Sequence, residues 1–252
     1  MKKISIVIAV AALMAGSAGA ALVLEYSVAT DAGKDAAVVG LGTGVAASAG
    51  DVIVFSTASS KSYVKSYAVT SADGGVIGTE VGNWTDKNAS VSYFMVLSGG
   101  TFDLGVAGNI LTYDTYGAYV VGSDQTGYSV VELAQGQLFS ADHLTSTTDV
   151  LDYGTVASGG ILVESANVNL FDALPSGYNS YVNSGTSRAT LDATFSAGAL
   201  SSSYTVGGDL TKNARFTGIA FTEVVPEPAT FGMLGLGALV MFTIRRFNRR
   251  RR

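Results

Sequence analysis

Between residues 21 and 225 the chain is broken every few positions by Gly, Ser, Asn and Asp, and the runs between those breaks are short and rich in Val, Ile, Tyr, Phe and Thr. That is the punctuation of strands and turns, and it leaves little space for helices. Strands are expected at Leu22 to Ala29, Val52 to Thr57, Tyr63 to Val69, Val91 to Leu97, Thr101 to Val106, Ala118 to Val121, Tyr128 to Leu133, Gln137 to Ser140, Ile161 to Leu170, Ala189 to Phe195 and Ala214 to Glu223. Alternation supports several of these: Tyr63, Lys65, Tyr67 and Val69 oppose Val64, Ser66 and Ala68, and Val91, Tyr93, Met95 and Leu97 oppose Ser92, Phe94 and Val96. The segment Ala214 to Glu223 is apolar on both sides towards its end, which predicts a strand covered on both faces. Helical periodicity is scarce. Asn169 to Leu174, ahead of Pro175, fits one helical turn, and Asp142 to Leu151 fits a second, irregular piece.

The expected fold class is therefore all-β, a single antiparallel β-sandwich of jelly-roll type over residues 21–225. A β-helix ranks second, because no fixed period of roughly 20 to 30 residues is visible. Two smaller β-domains split near Ala141 to Gly160 form a third arrangement.

Charge divides the chain into three unlike parts. The whole carries −5, but eight of its 15 basic residues are terminal, and residues 21–225 hold seven basic against nineteen acidic residues, a net of −12. There is no Cys, which excludes disulfides, thiolate metal sites and cysteine nucleophiles, and a single histidine, His143, leaves little room for a His-built metal centre.

The N-terminal part reads as a secretory signal peptide over residues 1–20. Lys2 and Lys3 form a positive start, Ile4 to Met14 an apolar stretch, and Ala18-Gly19-Ala20 a small-residue site of the A-x-A type, with cleavage expected after Ala20.

The C-terminal part, residues 226–252, opens on Pro226-Glu227-Pro228, whose two prolines fix φ and push the preceding residues out of the helical region. An uncharged run from Phe231 to Ile244 follows. As a helix over Ala229 to Phe247 it would reach roughly 28 Å, enough for a bilayer core if its first arginines snorkel. Arg245, Arg246, Arg249, Arg250, Arg251 and Arg252 close the chain and, by the positive-inside tendency, would stay cytoplasmic, leaving the acidic body across the membrane. That topology argues against nucleic acid as the partner of the arginine block. Gly232, Gly235 and Gly237 weaken the span as a helix, each by up to about 1 kcal/mol relative to Ala.

Val225-Pro226-Glu227-Pro228-Ala229-Thr230, the Leu-Gly-Leu-Gly-Ala-Leu span and the terminal Arg cluster resemble the PEP-CTERM sorting signal of bacterial exosortase substrates. The resemblance implies processing by a membrane-embedded exosortase near Pro-Glu-Pro, with transient membrane residence. It also implies delivery to the cell envelope or exterior of a Gram-negative-type bacterium, in a family associated with exopolysaccharide, biofilm and floc formation. It implies nothing about the fold or ligand of residues 21–225.

Motifs for chemistry are weak. Gly42-Thr43-Gly44-Val45-Ala46-Ala47 fits a loose G-x-G-x-x-[GA] pattern, but the next strand begins near Val52, where a dinucleotide fold needs a full crossover helix; a turn or bulge is expected. His143 stands beside Asp142 without a G-x-S-x-G elbow. No cofactor is expected. Asp31 with Asp35, Asp114, and Asp149 with Asp152 are hard-oxygen candidates for calcium, yet no D-x-[DN]-x-[DN]-G loop occurs, and turn aspartates explain them. Asn83-Trp84-Thr85 and Asn88-Ala89-Ser90 fit N-x-[ST] and predict an exposed loop, from which Trp84, the only tryptophan, would stack on a sugar or plug the base of the loop.

Two function classes compete. A non-enzymatic structural, adhesive or polysaccharide-associated protein of the envelope or matrix is expected first, since no catalytic constellation can be named. A secreted carbohydrate-active enzyme or a carbohydrate-binding module on a jelly-roll scaffold is second.

Overall fold

The computed structural model describes residues 21–31, 38–59, 65–86, 88–108, 114–124, 129–140, 148–168, 171–182, 187–207 and 214–224. They form sixteen strands: β1 Leu22–Asp31, β2 Val38–Ala47, β3 Val52–Ala58, β4 Lys65–Ser71, β5 Val76–Asp86, β6 Ala89–Ser98, β7 Gly100–Gly108, β8 Thr115–Ser123, β9 Ser129–Ser140, β10 Thr148–Val156, β11 Gly160–Asn167, β12 Phe171–Ala173, β13 Asn179–Val182, β14 Arg188–Phe195, β15 Gly198–Val206 and β16 Ala214–Val224. All pairings are antiparallel.

The expected jelly-roll sandwich is present, and it is present twice. The first eight strands make a five-stranded sheet in the order β1-β8-β3-β6-β5 and a three-stranded sheet in the order β2-β7-β4. Adding eight to each number gives the other two sheets, β9-β16-β11-β14-β13 and β10-β15-β12. Even an irregularity is repeated. Glu25 bulges from β1 opposite the step between Val120 and Val121, and Leu133 bulges from β9 opposite the step between Ala220 and Phe221. The boundary between the halves falls between β8 and β9, ahead of residues 141–160.

Each half encloses its own apolar core. Phe55, Phe102, Tyr116 and Val120 are among the residues filling the first, and Leu162, Tyr204, Phe216 and Leu191 are among those filling the second. A third cluster lies between the two five-stranded sheets, with Val52, Val54, Val91, Tyr93, Tyr119 and Val121 from one and Val130, Ile161, Val163, Ile219 and Phe221 from the other. β3 and β11 are therefore buried on both faces, one row of side chains facing inward and the other facing the second half. Such strands read as near-continuous apolar runs, which is why both were legible in the sequence.

Across this central interface β3 and β11 run parallel. Ser56 Oγ donates to the Glu164 carbonyl at 2.8 Å and Ser165 Oγ donates to the Thr57 carbonyl at 2.6 Å, both spanning 108 residues. β6 meets β16 while β8 meets β14, so the halves are related by an approximate two-fold axis along the strands. Odd-numbered strands consequently run one way and even-numbered strands return. The turns after β2, β4, β6, β8, β10, β12 and β14 lie at one end, here the root, and Ala21 and Val224 lie there too. The connections after β1, β3, β5, β7, β9, β11, β13 and β15 leave from the far end.

Several local expectations are corrected. Residues 171–173 of the expected helical turn are strand β12, and residues 148–151 of the expected irregular piece open β10. Of the expected strands Tyr128 to Leu133 and Gln137 to Ser140, the described residues 129–133 and 137–140 fall in one strand, β9, which continues through its bulge. Asn83-Trp84-Thr85 lies within β5, with the Trp84 backbone paired to Val91, because the β5–β6 hairpin carries the chain through this polar stretch in extended form.

Candidate functional site

The position that most separates the two halves is Glu164. On β11 it pairs with Gly218 of β16 and Leu191 of β14, and its side chain enters the core of the second half, where it is fully buried. A buried carboxylate needs donors, and neighbouring strands supply three hydroxyls. Tyr153 Oη donates to Oε1 at 2.6 Å, Ser202 Oγ donates to the same oxygen, and Tyr204 Oη donates to Oε2. Tyr178 Oη lies 2.5 Å from Ser202 Oγ and extends the cluster. Glycine makes the room: a Cβ on Gly218 would overlap Tyr153 Oη and stand 2.8 Å from Glu164 Cγ. Burial pushes the Glu164 carboxyl above its ordinary range, and the Ser202, Tyr153 and Tyr204 hydroxyls oppose that shift. Tyr178 is pushed up to about 12 by burial and by the Glu164 charge.

A second polar group closes the far end of the first half. Asp114 is fully buried and accepts from Ser59 Oγ at 3.0 Å and from Tyr116 Oη at 3.1 Å. The Arg188 guanidinium is close enough for the Asp114 charge to act on it, against the burial that lowers its basicity. Asn167 Nδ2 donates to the Ser59 carbonyl, so this corner also ties the halves together. These groups join chain segments of both halves at this corner.

A third group lies at the root. Glu25, the β1 bulge residue, and Asp51 flank Gly122: a Cβ there would stand 2.7 Å from Glu25 Oε1 and 2.9 Å from Asp51 Oδ1. Asp51 Oδ2 accepts the Ser48 N–H at 2.5 Å. Burial, then the charge of Asp51, raises the Glu25 carboxyl. Tyr93 Oη donates to Glu132 Oε2 at 3.1 Å, and burial with that charge pushes its phenol up to about 12.

The sequence candidates are scattered by this fold. Asp149 and Asp152 lie in strand β10, not a loop; Asp149 is buried, while Asp152 Oδ1 accepts the Gly154 N–H at 2.8 Å across a bulge. Asp31 ends β1 and Asp114 precedes β8. Among the described residues no three His, Asp or Glu side chains group as a metal site would require. Gly42 to Ala47 is the bulged second part of β2, with Gly44 at φ 64° and its N–H donating to Asp103 Oδ1 at 2.9 Å. The expected bulge is present, and it lies within a strand. Asp35, Asp142, His143, Ala18, Ala20, Val225, Pro226, Glu227, Pro228 and the arginines Arg245, Arg246, Arg249, Arg250, Arg251 and Arg252 lie outside the described residues, as does the expected helix over 229–247.

Asp114 is a calcium candidate in the sequence that the fold places in a buried hydrogen-bonded corner, whereas Glu164 and the root carboxylates Glu25 and Asp51 form groups that the sequence reading does not name. Glu164 did carry a signal: it is the one charged residue in the run Ile161 to Ala166.

β16 is the last described strand, and the C-terminal segment leaves the fold directly from its end. Residues 224–252 match the family model of the PEP-CTERM protein-sorting motif. No curated protein and no solved structure matches the chain. The motif marks an exported protein handled by exosortase-type sorting and destined for the envelope or exterior. The chain thus carries a PEP-CTERM protein-sorting motif at its C-terminal end, behind a body built as a doubled jelly roll.

Proposed function

We propose that this protein is a non-enzymatic structural or adhesive component of the cell envelope or extracellular matrix, associated with exopolysaccharide and held at the membrane only until its sorting segment is cut. The observation that carries the reading is positional. The sorting motif begins at residue 224, where β16 ends at the root, so the segment bearing the motif leaves from the end opposite the eight far-end connections. A body held this way presents its longest connections outward. All seven of its basic residues, Lys34, Lys61, Lys65, Lys87, Arg188, Lys212 and Arg215, stand in those connections or within the first two residues of the strand that follows. The basic residues are thus gathered at the outward end, among aspartates such as Asp35, Asp142 and Asp209 and with Arg188 half-buried beside Asp114, while the root turns hold none, so contact with an acidic polymer is expected at the outward end.

The test compares a strain producing the full chain with one producing a chain ended at Val225. The full chain is expected in the envelope and matrix fractions, and in sediment with the host's own exopolysaccharide at low salt, without change in polymer length. Shortening of the polymer by the purified protein, abolished by replacing a carboxylate, would overturn the reading in favour of a carbohydrate-active enzyme.

A further inference from the structure

Ala21 is clasped to Asp124 from both sides. Its backbone nitrogen donates to Asp124 Oδ1 at 3.1 Å, and its carbonyl accepts the Asp124 N–H at 3.2 Å. Asp124 directly follows β8, the partner of β1, so the clasp fastens the first turn of chain entering the fold. Glu223, near the end of β16, is its acidic neighbour: burial, then the charge of Asp124, raises the Glu223 carboxyl. Glu25 and Asp51 stand at the same end. The root connections, residues 48–51, 72–75, 99, 124–128, 157–159, 174–178 and 196–197, contain no Lys or Arg. The root therefore gathers carboxylates with no side-chain cation in its turns.

The nitrogen of Ala21 is the atom that export would change. Hydrolysis of the Ala20–Ala21 amide by a signal peptidase consumes one water, leaves a carboxylate on Ala20, and turns the Ala21 nitrogen from a neutral amide donor into an ammonium. We propose that the α-ammonium of Ala21, created by removal of residues 1–20, is the counter-ion of the acidic root, bound by Asp124 and flanked by Glu223. A hydrogen bond from an ionised donor to a carboxylate is roughly twice as strong as a neutral one. Maturation then tightens the junction of β1, β8 and β16, the place from which the sorting segment departs, and an uncleaved chain leaves Asp124 and Glu223 repelling each other across an amide.

The inference rests on the export reading, and the two fail differently: a chain retained in the cytoplasm sinks both, whereas one found in the envelope with residues 1–20 still attached, or cut at another bond, sinks only this proposal. The experiment takes the processed protein from its host, reads its first residue by mass spectrometry, and follows labelling of the α-amine with an acylating reagent against pH. The expected mature chain starts at Ala21, and its amine titrates above the ordinary range of about 7.7 to 8.0. At pH 8 it reacts roughly two- to five-fold more slowly than in Asp124→Asn, the range of an exposed ion pair. Acetylating the amine lowers Tm by about 1–3 °C in the wild type and leaves Asp124→Asn unchanged. Asparagine keeps an acceptor at the same place, so the variant folds. A different first residue, equal labelling rates in the two proteins, or equal Tm losses on acetylation would each overturn the proposal.

Discussion

Phe55 and Glu164 occupy the same crossing point of two identical strand orders. Phe55 pairs with Ala118 and Ser92, Glu164 with Gly218 and Leu191, and both side chains enter the core of their own half. In the first half the position is filled by an aromatic stack, Phe55 on Tyr67 at 4.8 Å between ring centroids. In the second it holds a carboxylate enclosed by three hydroxyls. One topology thus supports two solutions for the same interior space.

The carboxylate makes stability depend on pH. Burial holds the folded Glu164 pKa above its unfolded value, so its contribution is complete below the unfolded pKa and is lost as pH rises through the folded one. Thermal unfolding followed across that window should show Tm falling with rising pH in the wild type, and a flatter curve for Glu164→Gln. Identical curves would show that Glu164 does not titrate differently on folding.

Removing the carboxylate is a separate matter. Glu164→Ala leaves the Tyr153, Ser202 and Tyr204 hydroxyls facing a cavity, and a loss of about 3 kcal/mol or more is expected in denaturant unfolding. Gly218→Ala attacks the same site through space. Its Cβ would overlap Tyr153 Oη, and about 1–3 kcal/mol of destabilisation is expected, whereas Ala118 already sits at the equivalent place without strain.

Phe221 packs edge-on against Tyr93 at 5.2 Å across the central interface. Phe221→Ala should cost about 3–5 kcal/mol. Calorimetry should convert one unfolding transition into two, because the loss falls on the surface that couples the halves. A single transition shifted as a whole would mean that each half depends on the other for folding.

Ser165→Ala removes the donor to the Thr57 carbonyl, and a loss of about 1 kcal/mol is expected. Ser56→Ala removes the companion bond. A double-mutant cycle on the two measures whether they act together, as their neighbouring positions on β3 and β11 predict.

Ten of the sixteen strands were legible because their apolar runs or alternation survive in the sequence, β3 and β16 most clearly. β2, β5 and β15 were not, since Gly40, Gly42, Gly44, Gly78, Gly82 and the run Ser201-Ser202-Ser203 resemble turn punctuation, and their strand state is imposed by pairing with β7, β6 and β10. The duplication is hidden in the sequence for a different reason. Its period is about half the body, and between β3 and β11 only Val54 with Val163 and Ser56 with Ser165 coincide in identity. Register and bulge position are shared where residue identity is not. The Glu164 cluster draws on β10, β11 and β15 together with Tyr178, and a grouping of that kind depends on sheet order, which spacing along the chain does not encode.

The way the two five-stranded sheets face each other limits how this architecture could have grown. Each packs its apolar outer face on the other, about an axis that returns the second half onto the first. Among the described residues that face is already occupied, so a third sandwich could not dock in the same way. The arrangement is a closed pair inside one chain, the covalent counterpart of a symmetric dimer, and lengthening it would require a different contact surface, unlike a solenoid that adds one more turn by repeating the last.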